Sequence, residues 1–316
     1  MAKQITSRAL VVGLCVWGLL PVGCGEDTSE RDRTGKPRVA LIMKSLANEF
    51  FKTMEDGAVA HQKANADTYD LICNGIKNEQ DVAKQVDLVE QMIAQDVDVI
   101  VIAPADSKAL VPVCKKAQRA GIVVVNIDNK FDATVLKEEN VRIPFVGPDN
   151  RRGARLAGEH LAKKLKAGDK VAIVEGATNA FNGDQRKLGF EDAMKAVGVE
   201  IVSSQTGKWE AEPAEKVVTG MISEHPEIKA ILCANDSMAL GAVAALRSAN
   251  RADVLVIGYD NISAVRELMK EGKVLCTVEQ YGAKIATNGV EFALMVLGAT
   301  ARETPVKLVT SDGLTR

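Results

Sequence analysis

The sequence lacks an excess of charge of either sign. Its 40 lysines and arginines are balanced by 42 aspartates and glutamates, which leaves a formal net charge of -2 over 316 residues. Non-specific binding to nucleic acids depends on a broad positive field. We therefore expect no nucleic-acid partner.

The sequence also lacks the motifs of common enzyme classes. It contains no GxGxxG, P-loop, HExxH or GxSxG pattern, and His61, His160 and His225 stand singly in helical patterns. One enzymatic alternative stays open, in which Asp128 and Asp260 face each other across a cleft as general acid and base. Because no reactive bond is implied, binding without catalysis explains the same carboxylates more simply.

The cysteines lack metal-ligand spacing. Cys73, Cys114, Cys233 and Cys276 are scattered without a CxxC pair, so we expect no metal site, no other cofactor and no disulfide framework. Each lies among apolar residues. This context predicts four small buried side chains.

No apolar run is long enough to cross a membrane comfortably, since a spanning helix needs about 18 such residues. The longest N-terminal run, Ala9–Leu20, follows the basic residues Lys3 and Arg8. A short apolar run behind a positive segment is typical of a secretory signal. We predict a signal peptide over residues 1–23 and export of the chain.

The end of this run, Leu20-Pro21-Val22-Gly23-Cys24, resembles the lipobox of bacterial lipoproteins. The resemblance implies that Cys24 is lipidated and anchors the protein to a membrane. Pro21 departs from the usual leucine, so cleavage after Gly23 or Gly25 stays open. Residues 24–37 are charged and lack apolar periodicity, which predicts a tether.

From Val39 onward, strand and helix patterns alternate. Apolar residues at helical spacing predict a helix over Gln80–Gln95, between short β-branched runs that predict strands. A junction over Val146–Asn150 separates two such series, and this succession predicts an α/β fold with two doubly wound parallel-sheet lobes. The predicted strands are Val39–Met43, Tyr69–Cys73, Val97–Ile102 and Ile122–Ile127, then Val171–Glu175, Ile201–Gln205, Ala230–Cys233, Val254–Tyr259 and Val274–Val278.

Polar residues follow most of the predicted strands, at the end of the sheet where such folds bind ligands. Taken singly, aspartate and asparagine at these places are typical helix caps, and we expect Asp236 and Asn261 to be caps, Asp236 opening a helix over Ser237–Ser248. Taken together with Phe50 and Phe51, they predict a cleft for a polyhydroxylated ligand. These polar residues are Lys44, Asp128, Asn129, Asn235, Asp236, Asp260, Asn261, Glu279 and Gln280.

Several motifs occur in the order found in one protein family. The chain resembles the periplasmic sugar-binding proteins of ABC transporters, of the ribose-binding and allose-binding type, which have the periplasmic binding protein type 1 fold. The resemblance spans Arg38 to about Val309. The matching segments are KSLANEFF from Lys44, VNID from Val125, NAFNGDQRKLGF from Asn179, CANDSMALG from Cys233 and TVEQ from Thr277.

The resemblance implies a set of ligand-binding residues. Charged groups give hydroxyls hydrogen bonds about twice as strong as neutral ones, and aromatic faces pack against the C–H faces of sugar rings. The implied hydroxyl contacts are Asn48, Asp128, Arg186, Asn235, Asp260 and Gln280, and the implied aromatic faces are Phe50, Phe51 and Trp209.

Two positions depart from the ribose-binding pattern. Lys44 stands where that branch has a small hydroxyl residue, and Asn129 stands where it has an arginine. With Trp209 in place of phenylalanine, these residues look more like the allose-binding branch, which implies a hexopyranose such as D-allose. We expect Lys44 and Asn129 to contact the ligand. A solvated Lys44 at the rim of the cleft, and ribose, a polyol or another pentose as ligand, stay open.

The resemblance also implies a mechanism and a domain division. Two lobes joined by a three-strand hinge would close over a monosaccharide, and the closed monomer would deliver it to an ABC permease in the cell envelope. The predicted lobes are residues 38–147 plus 281–307 and residues 148–280 plus 308–316. A chemoreceptor or kinase as the partner stays open. A transcriptional repressor of this fold is not expected, because an export signal occupies the place of its DNA-binding helices.

Overall fold

The computed structural model describes residues 36–295 and the backbone of residues 302–304 and 307–310. The predicted signal peptide, the lipidation site Cys24 and residues 24–35 of the tether lie outside the described residues. Within the described ranges, no helix is both long enough and apolar enough to span a membrane.

The first sheet is entirely parallel and has the order β11-β5-β4-β3-β1-β2. Its central strands are buried on both faces, as expected for β-branched runs covered by helices. The sequence analysis missed β5 and assigned those residues to a junction. The strands are β1 (Arg38–Ser45), β2 (Asp70–Ile76), β3 (Val99–Ile102), β4 (Val123–Ile127), β5 (Phe145–Pro148) and β11 (Arg302–Thr304).

The second sheet repeats this arrangement, with the order β12-β10-β9-β8-β6-β7. Five strands are parallel, whereas β12 is antiparallel to β10 and pairs Thr310 with Cys276. The strands are β6 (Lys170–Glu175), β7 (Glu200–Thr206), β8 (Ile228–Cys233), β9 (Leu255–Ile257), β10 (Cys276–Glu279) and β12 (Lys307–Thr310).

Helices alternate with the strands and cover the sheets. The helix predicted over Gln80–Gln95 is observed as α2, where the Asp81 side chain accepts a hydrogen bond from the Lys84 amide and caps the first turn. The helices are α1 (Glu49–Ala64), α2 (Val82–Ala94), α3 (Val111–Arg119), α4 (Ala133–Glu138), α5 (Asn150–Ala162), α6 (Phe181–Ala196), α7 (Ala211–Glu224), α8 (Asp236–Ser248), α9 (Ser263–Lys270) and α10 (Gly282–Leu294).

The chain passes from one sheet to the other at three places. It leaves the first sheet after β5 and returns after β10, where α10 packs on α1 and on the strands β3 and β4 of the first sheet. It crosses to the second sheet again between β11 and β12. We retain the predicted division into two discontinuous lobes as our proposed domain assignment. The first and second lobes are named below by the sheet each contains.

The cysteine prediction was correct for three residues. Cys114, Cys233 and Cys276 are buried, and burial raises the pKa of the Cys114 thiol to about 12. The prediction was wrong for Cys73, which is only half-buried because it lies on β2, at the edge of the first sheet.

Candidate functional site

A small cavity lies at the carboxyl ends of the strands of both sheets. In each sheet the strand order reverses beside the first strand of the lobe, β1 or β6, and such switch points are where α/β sheets bind ligands. The space that protein atoms leave unfilled here is about 240 Å³, open solvent included. The lining residues are Lys44, Asn48, Phe50, Phe51, Glu79, Asp128, Asn182, Arg186, Trp209, Asn235, Asp260 and Gln280.

A larger groove of about 1060 Å³, including open solvent, lies between α8 and α9. It borders residues such as Val254 and Val274, which precede β9 and β10, so it lies at the amino ends of the strands. Its lining includes Arg247 and Lys273 but no carboxylate. The small cavity is therefore the better candidate, because its position and its mixture of charges both fit a ligand site.

The loop after β1 supplies one wall of the small cavity. Asn48 is the N-cap of α1, and its side-chain oxygen accepts a hydrogen bond from the Phe50 amide at 3.0 Å. This cap fixes the start of the helix. Phe50 and Phe51 then pack edge to face, with ring centroids 5.2 Å apart. Both rings are buried, and they belong to the hydrophobic core as well as to the cavity.

Lys44 is a buried cation at the centre of the site. Only 2% of the residue is exposed, so the alternative of a solvated lysine at the rim is wrong. Its Nζ lies 3.8 Å from Asp128 Oδ2 and 4.0 Å from Glu79 Oε2, and 5.7 Å and 5.5 Å from the ring centroids of Phe51 and Trp209. Two carboxylates thus compensate its charge, as a buried ammonium requires.

Burial also changes the protonation of these two carboxylates. Desolvation raises the pKa of Glu79 to about 7, although the nearby Lys44 opposes the shift. Desolvation raises the pKa of Asp128 as well, again against Lys44 and also against Arg186. Glu79 therefore changes charge near neutral pH.

The second lobe holds a buried arginine in a fixed orientation. Arg186 Nε donates to Asn150 Oδ1 at 2.8 Å, and Nη1 donates to the Ala234 carbonyl at 2.8 Å. The guanidinium carbon also lies 3.8 Å from the centroid of the Tyr259 ring. These contacts fix the orientation of the Arg186 guanidinium, whose other hydrogen bonds go to Asp260 and Gln280.

Arg186, Asp260 and Gln280 form a polar group beside the cavity. Gln280 Nε2 donates to Asp260 Oδ1 at 2.7 Å, while Arg186 Nη1 and Nη2 donate to Asp260 Oδ1 at 3.5 Å and to Gln280 Oε1 at 3.4 Å. Burial raises the pKa of Asp260 well above its usual range, and Arg186 opposes that shift. The two bonds from Arg186 are long and therefore weak, so the Arg186 donors and the acceptors of Asp260 and Gln280 stay available to a third partner.

Trp209 forms the aromatic wall of the second lobe. Its backbone has a φ of +68°, which a non-glycine residue rarely adopts, and the side chain of Asn235 donates from Nδ2 to its carbonyl at 3.1 Å. The indole packs so closely on Gly176 that a Cβ there would overlap it. The absence of a side chain at residue 176 therefore sets the position of the ring.

Three polar atoms of the lining have no hydrogen-bond partner in the described part of the chain. They are Asp128 Oδ2, Asn182 Oδ1 and Trp209 Nε1, two acceptors and one donor. A buried polar atom left unpaired costs about 1–3 kcal/mol. Their convergence on one cavity indicates a ligand with both hydroxyl donors and acceptors.

Ten of the eleven residues inferred from the sequence to bind the ligand line this cavity, and their binding role stays a prediction. Asn129 lies outside the lining. Its Nδ2 donates to the Pro104 carbonyl at 2.9 Å, and its Oδ1 accepts from Ser107 Oγ at 3.3 Å and from the Asn182 amide at 3.1 Å. With both ends of its amide already bonded, Asn129 positions Asn182 instead of facing the cavity.

The sequence analysis missed two lining residues, Glu79 and Asn182. Asn182 lies inside the quoted NAFNGDQRKLGF segment, so the motif contained the signal. Glu79 lies three residues after β2, in a segment that was not singled out. Its side chain is held at the site by a hydrogen bond that Asn48 Nδ2 donates to Glu79 Oε1 at 3.3 Å.

Both predicted helix caps were wrong. The cap of α8 is Asn235, whose Oδ1 accepts from the Met238 amide at 2.8 Å, whereas Asp236 accepts from Thr277 Oγ1 and from the Ile262 amide. Asn261 donates from Nδ2 to Glu279 Oε2 at 2.8 Å and does not cap α9. Both side chains therefore connect the loops that follow the strands of the second sheet.

Comparison with known proteins identifies the family. Residues 39–301 match the periplasmic binding protein domain. The chain belongs to the periplasmic binding protein family. A D-ribose/D-allose-binding protein of Pseudomonas aeruginosa is 58% identical over 322 residues, covering 98% of this chain and 99% of the relative. The predicted family and fold class are thereby confirmed.

Two solved structures show how closely this family member resembles others. An ABC transporter solute-binding protein of Burkholderia multivorans, whose unknown ligand is represented as alpha-D-erythrofuranose, is 57% identical with a TM-score of 0.86 and covers 88% of this chain and 100% of its own. One from Actinobacillus succinogenes 130z with bound D-allose is 36% identical with a TM-score of 0.82, covering 88% and 99%.

Proposed function

We propose that this protein captures a neutral aldose in the periplasm, D-allose first and D-ribose second, and delivers it to an ABC permease. Three polar atoms of the cavity lining that have no hydrogen-bond partner in the described part of the chain carry the proposal, since the hydroxyls of one sugar would satisfy both the acceptors and the donor. The name of the Pseudomonas aeruginosa relative and the D-allose in the Actinobacillus succinogenes structure support this choice.

The charges of the cavity favour a neutral ligand. Lys44 lies within 4.0 Å of the carboxylates of Glu79 and Asp128, so its charge is already balanced. The second cation, Arg186, lies 3.5 Å from a third carboxylate, Asp260, so neither cation is free to pair with an anionic group. Sugar acids and sugar phosphates are therefore poor ligands, because a buried charge needs a compensating partner.

Closure of the two lobes around the sugar is the proposed mechanism. The first lobe contributes Lys44, Asn48 and Asp128, and the second lobe contributes Arg186 and Trp209. A sugar that touches both walls binds the closed form more tightly than the open form and so shifts the population towards closure. The closed form is the state that a permease would recognise.

No catalytic step is part of the proposal. Asp128 and Asp260 both have raised pKa values, and each faces a cation, Lys44 or Arg186. This pairing suits two carboxylates that accept hydrogen bonds from hydroxyls. We further propose that residues 1–23 are a signal peptide, that Cys24 is lipidated and that the protein is a monomer.

Titration calorimetry against D-allose, D-ribose, a deoxy analogue of the tighter ligand and the corresponding uronic acid tests the proposal. We expect tight binding of at least one aldose, a loss of about 10⁴-fold for the deoxy analogue if its missing hydroxyl pairs with a buried group, and no binding of the acid. The absence of aldose binding at millimolar concentration would refute the proposed function.

A further inference from the structure

Several hydrogen bonds join the two lobes outside the cavity lining, among them those of Ser107 with Asn179 and Phe181 and those of Glu49 with Ser263. The carboxylate of Glu49 accepts two hydrogen bonds from Ser263, one from the backbone amide to Oε1 at 2.8 Å and one from Oγ to Oε2 at 2.7 Å. Glu49 begins α1 in the first lobe, and Ser263 begins α9 in the second. Neither residue lines the cavity.

The contact completes a helix that has no cap of its own. The residue before α9 is Ile262, whose side chain cannot accept a hydrogen bond, so α9 has no local side-chain cap. Glu49 supplies that acceptor from the other lobe. The same carboxylate lies in the first turn of α1, so one negative charge serves the positive ends of two helices.

The position of this contact relates it to closure. Asn48, the residue directly before Glu49, lines the cavity and caps α1. A residue of the cavity wall and a residue of the interlobe contact are therefore neighbours at the start of α1. Separation of the lobes would break both bonds to Ser263 and leave the first turn of α9 uncapped. The contact therefore has differential free energy between the closed and open forms, which any closure device requires.

We propose that Glu49 and Ser263 form a closure latch, which sets the lifetime of the closed form and thereby the sugar affinity without touching the sugar. The latch rests on the proposed function. Because an affinity measured for a partly populated closed form scales with its population, loss of the latch weakens binding of every sugar by the same factor. Truncation of a helix cap predicts a three- to tenfold effect, roughly.

Four variants of the full chain test the latch. They are Glu49→Ala, Ser263→Ala, the double variant and Asp56→Ala, the last being a matched control because Asp56 is an acidic residue of α1 that pairs with Lys52 on the same helix. Dissociation rates for D-allose and D-ribose are measured by stopped-flow intrinsic fluorescence, since Trp209 lines the cavity. The radius of gyration without sugar is measured by small-angle X-ray scattering.

We expect Glu49→Ala to raise the dissociation rates of both sugars by about three- to tenfold, and to increase the radius of gyration without sugar. Ser263→Ala should have a smaller effect, the double variant should lose less than the sum of the two changes, and Asp56→Ala should behave as wild type. Unchanged rates and radii in Glu49→Ala, or additive effects in the double variant, would overturn the latch.

The two proposals fail in different ways. Sugar binding by the wild type with identical rates in Glu49→Ala overturns the latch alone. A wild type that binds no aldose overturns the proposed function, and the radii measured without sugar then decide the latch, since equal radii in wild type and Glu49→Ala would refute it.

Discussion

Replacement of Glu79 by glutamine should remove a pH dependence of stability that the buried carboxylate creates. The pKa of Glu79 rises from 4.5 to about 7 in the folded protein, mainly because burial desolvates the charge. Glutamine has nearly the same shape and keeps an acceptor for Asn48 Nδ2, but it stays neutral at every pH.

The sign follows from the raised folded-state pKa. Below pH 4.5 the carboxyl is protonated in both the folded and the unfolded chain, so it has no cost. Between pH 4.5 and about 7 the unfolded chain ionises first, and the wild type loses stability as the pH rises. One pKa unit corresponds to about 1.4 kcal/mol, so the total loss is about 3 kcal/mol.

Urea unfolding of both proteins at constant ionic strength, from pH 4.5 to pH 8, measures this difference. The free energy of unfolding of Glu79→Gln minus that of the wild type should increase by about 3 kcal/mol across the range. Other buried acids, such as Asp236 with a pKa raised to about 6, are present in both proteins and cancel to first order. Glu90→Gln, which changes an exposed glutamate of α2, is the control.

A difference between Glu79→Gln and the wild type that is independent of pH would refute this reasoning. It would mean that the pKa of Glu79 is the same in the folded and the unfolded chain, because Coulomb attraction to Lys44 at 4.0 Å offsets desolvation. A difference that falls with rising pH would require a lowered pKa and would contradict the burial of the side chain.

Two further substitutions test the walls of the cavity. Lys44→Met should weaken aldose binding by more than tenfold in calorimetry, because Asp128 loses its counter-charge. The control Lys52→Met, at an exposed position, should bind aldose as the wild type does. Equal affinities of Lys44→Met and the wild type would show that the ammonium is dispensable. Gly176→Ala should shift the fluorescence of Trp209 and weaken aldose binding at least tenfold, because the added Cβ overlaps the indole. The control Gly220→Ala, where a Cβ meets nothing within 4 Å, should leave both unchanged. Unaltered fluorescence in Gly176→Ala would refute the close packing of the indole on Gly176.

Most strands could be predicted because their signal is local. Runs such as Val39–Met43 are continuously apolar, and they are fully buried in a parallel sheet. Strand β5 was missed because Gly147 and Pro148 are poor strand formers. It forms because it pairs with β4 on one side and with β11 on the other. Of these two strands, only β4 is close to β5 in the sequence.

The site was predictable where a motif placed a residue at the end of a strand. Lys44, Asn48 and Asp128 meet because the carboxyl ends of β1 and β4 lie at the same edge of the first sheet. Asn129 follows Asp128 directly, but Pro104 and Asn182 occupy its amide and turn it away. That outcome depends on residues of other elements, which no local pattern encodes.

The sequence alone determined the alternation of strands and helices, the family and the ends of strands that carry polar side chains, because these follow from the order of neighbouring residues. Only the tertiary structure decided which of those side chains share a cavity, that Lys44 is buried between Asp128 and Glu79, and that Glu49 caps a helix of the opposite lobe. Burial, charge compensation and capping between lobes arise from residues up to 214 positions apart in the sequence, so they exist only once the chain has folded.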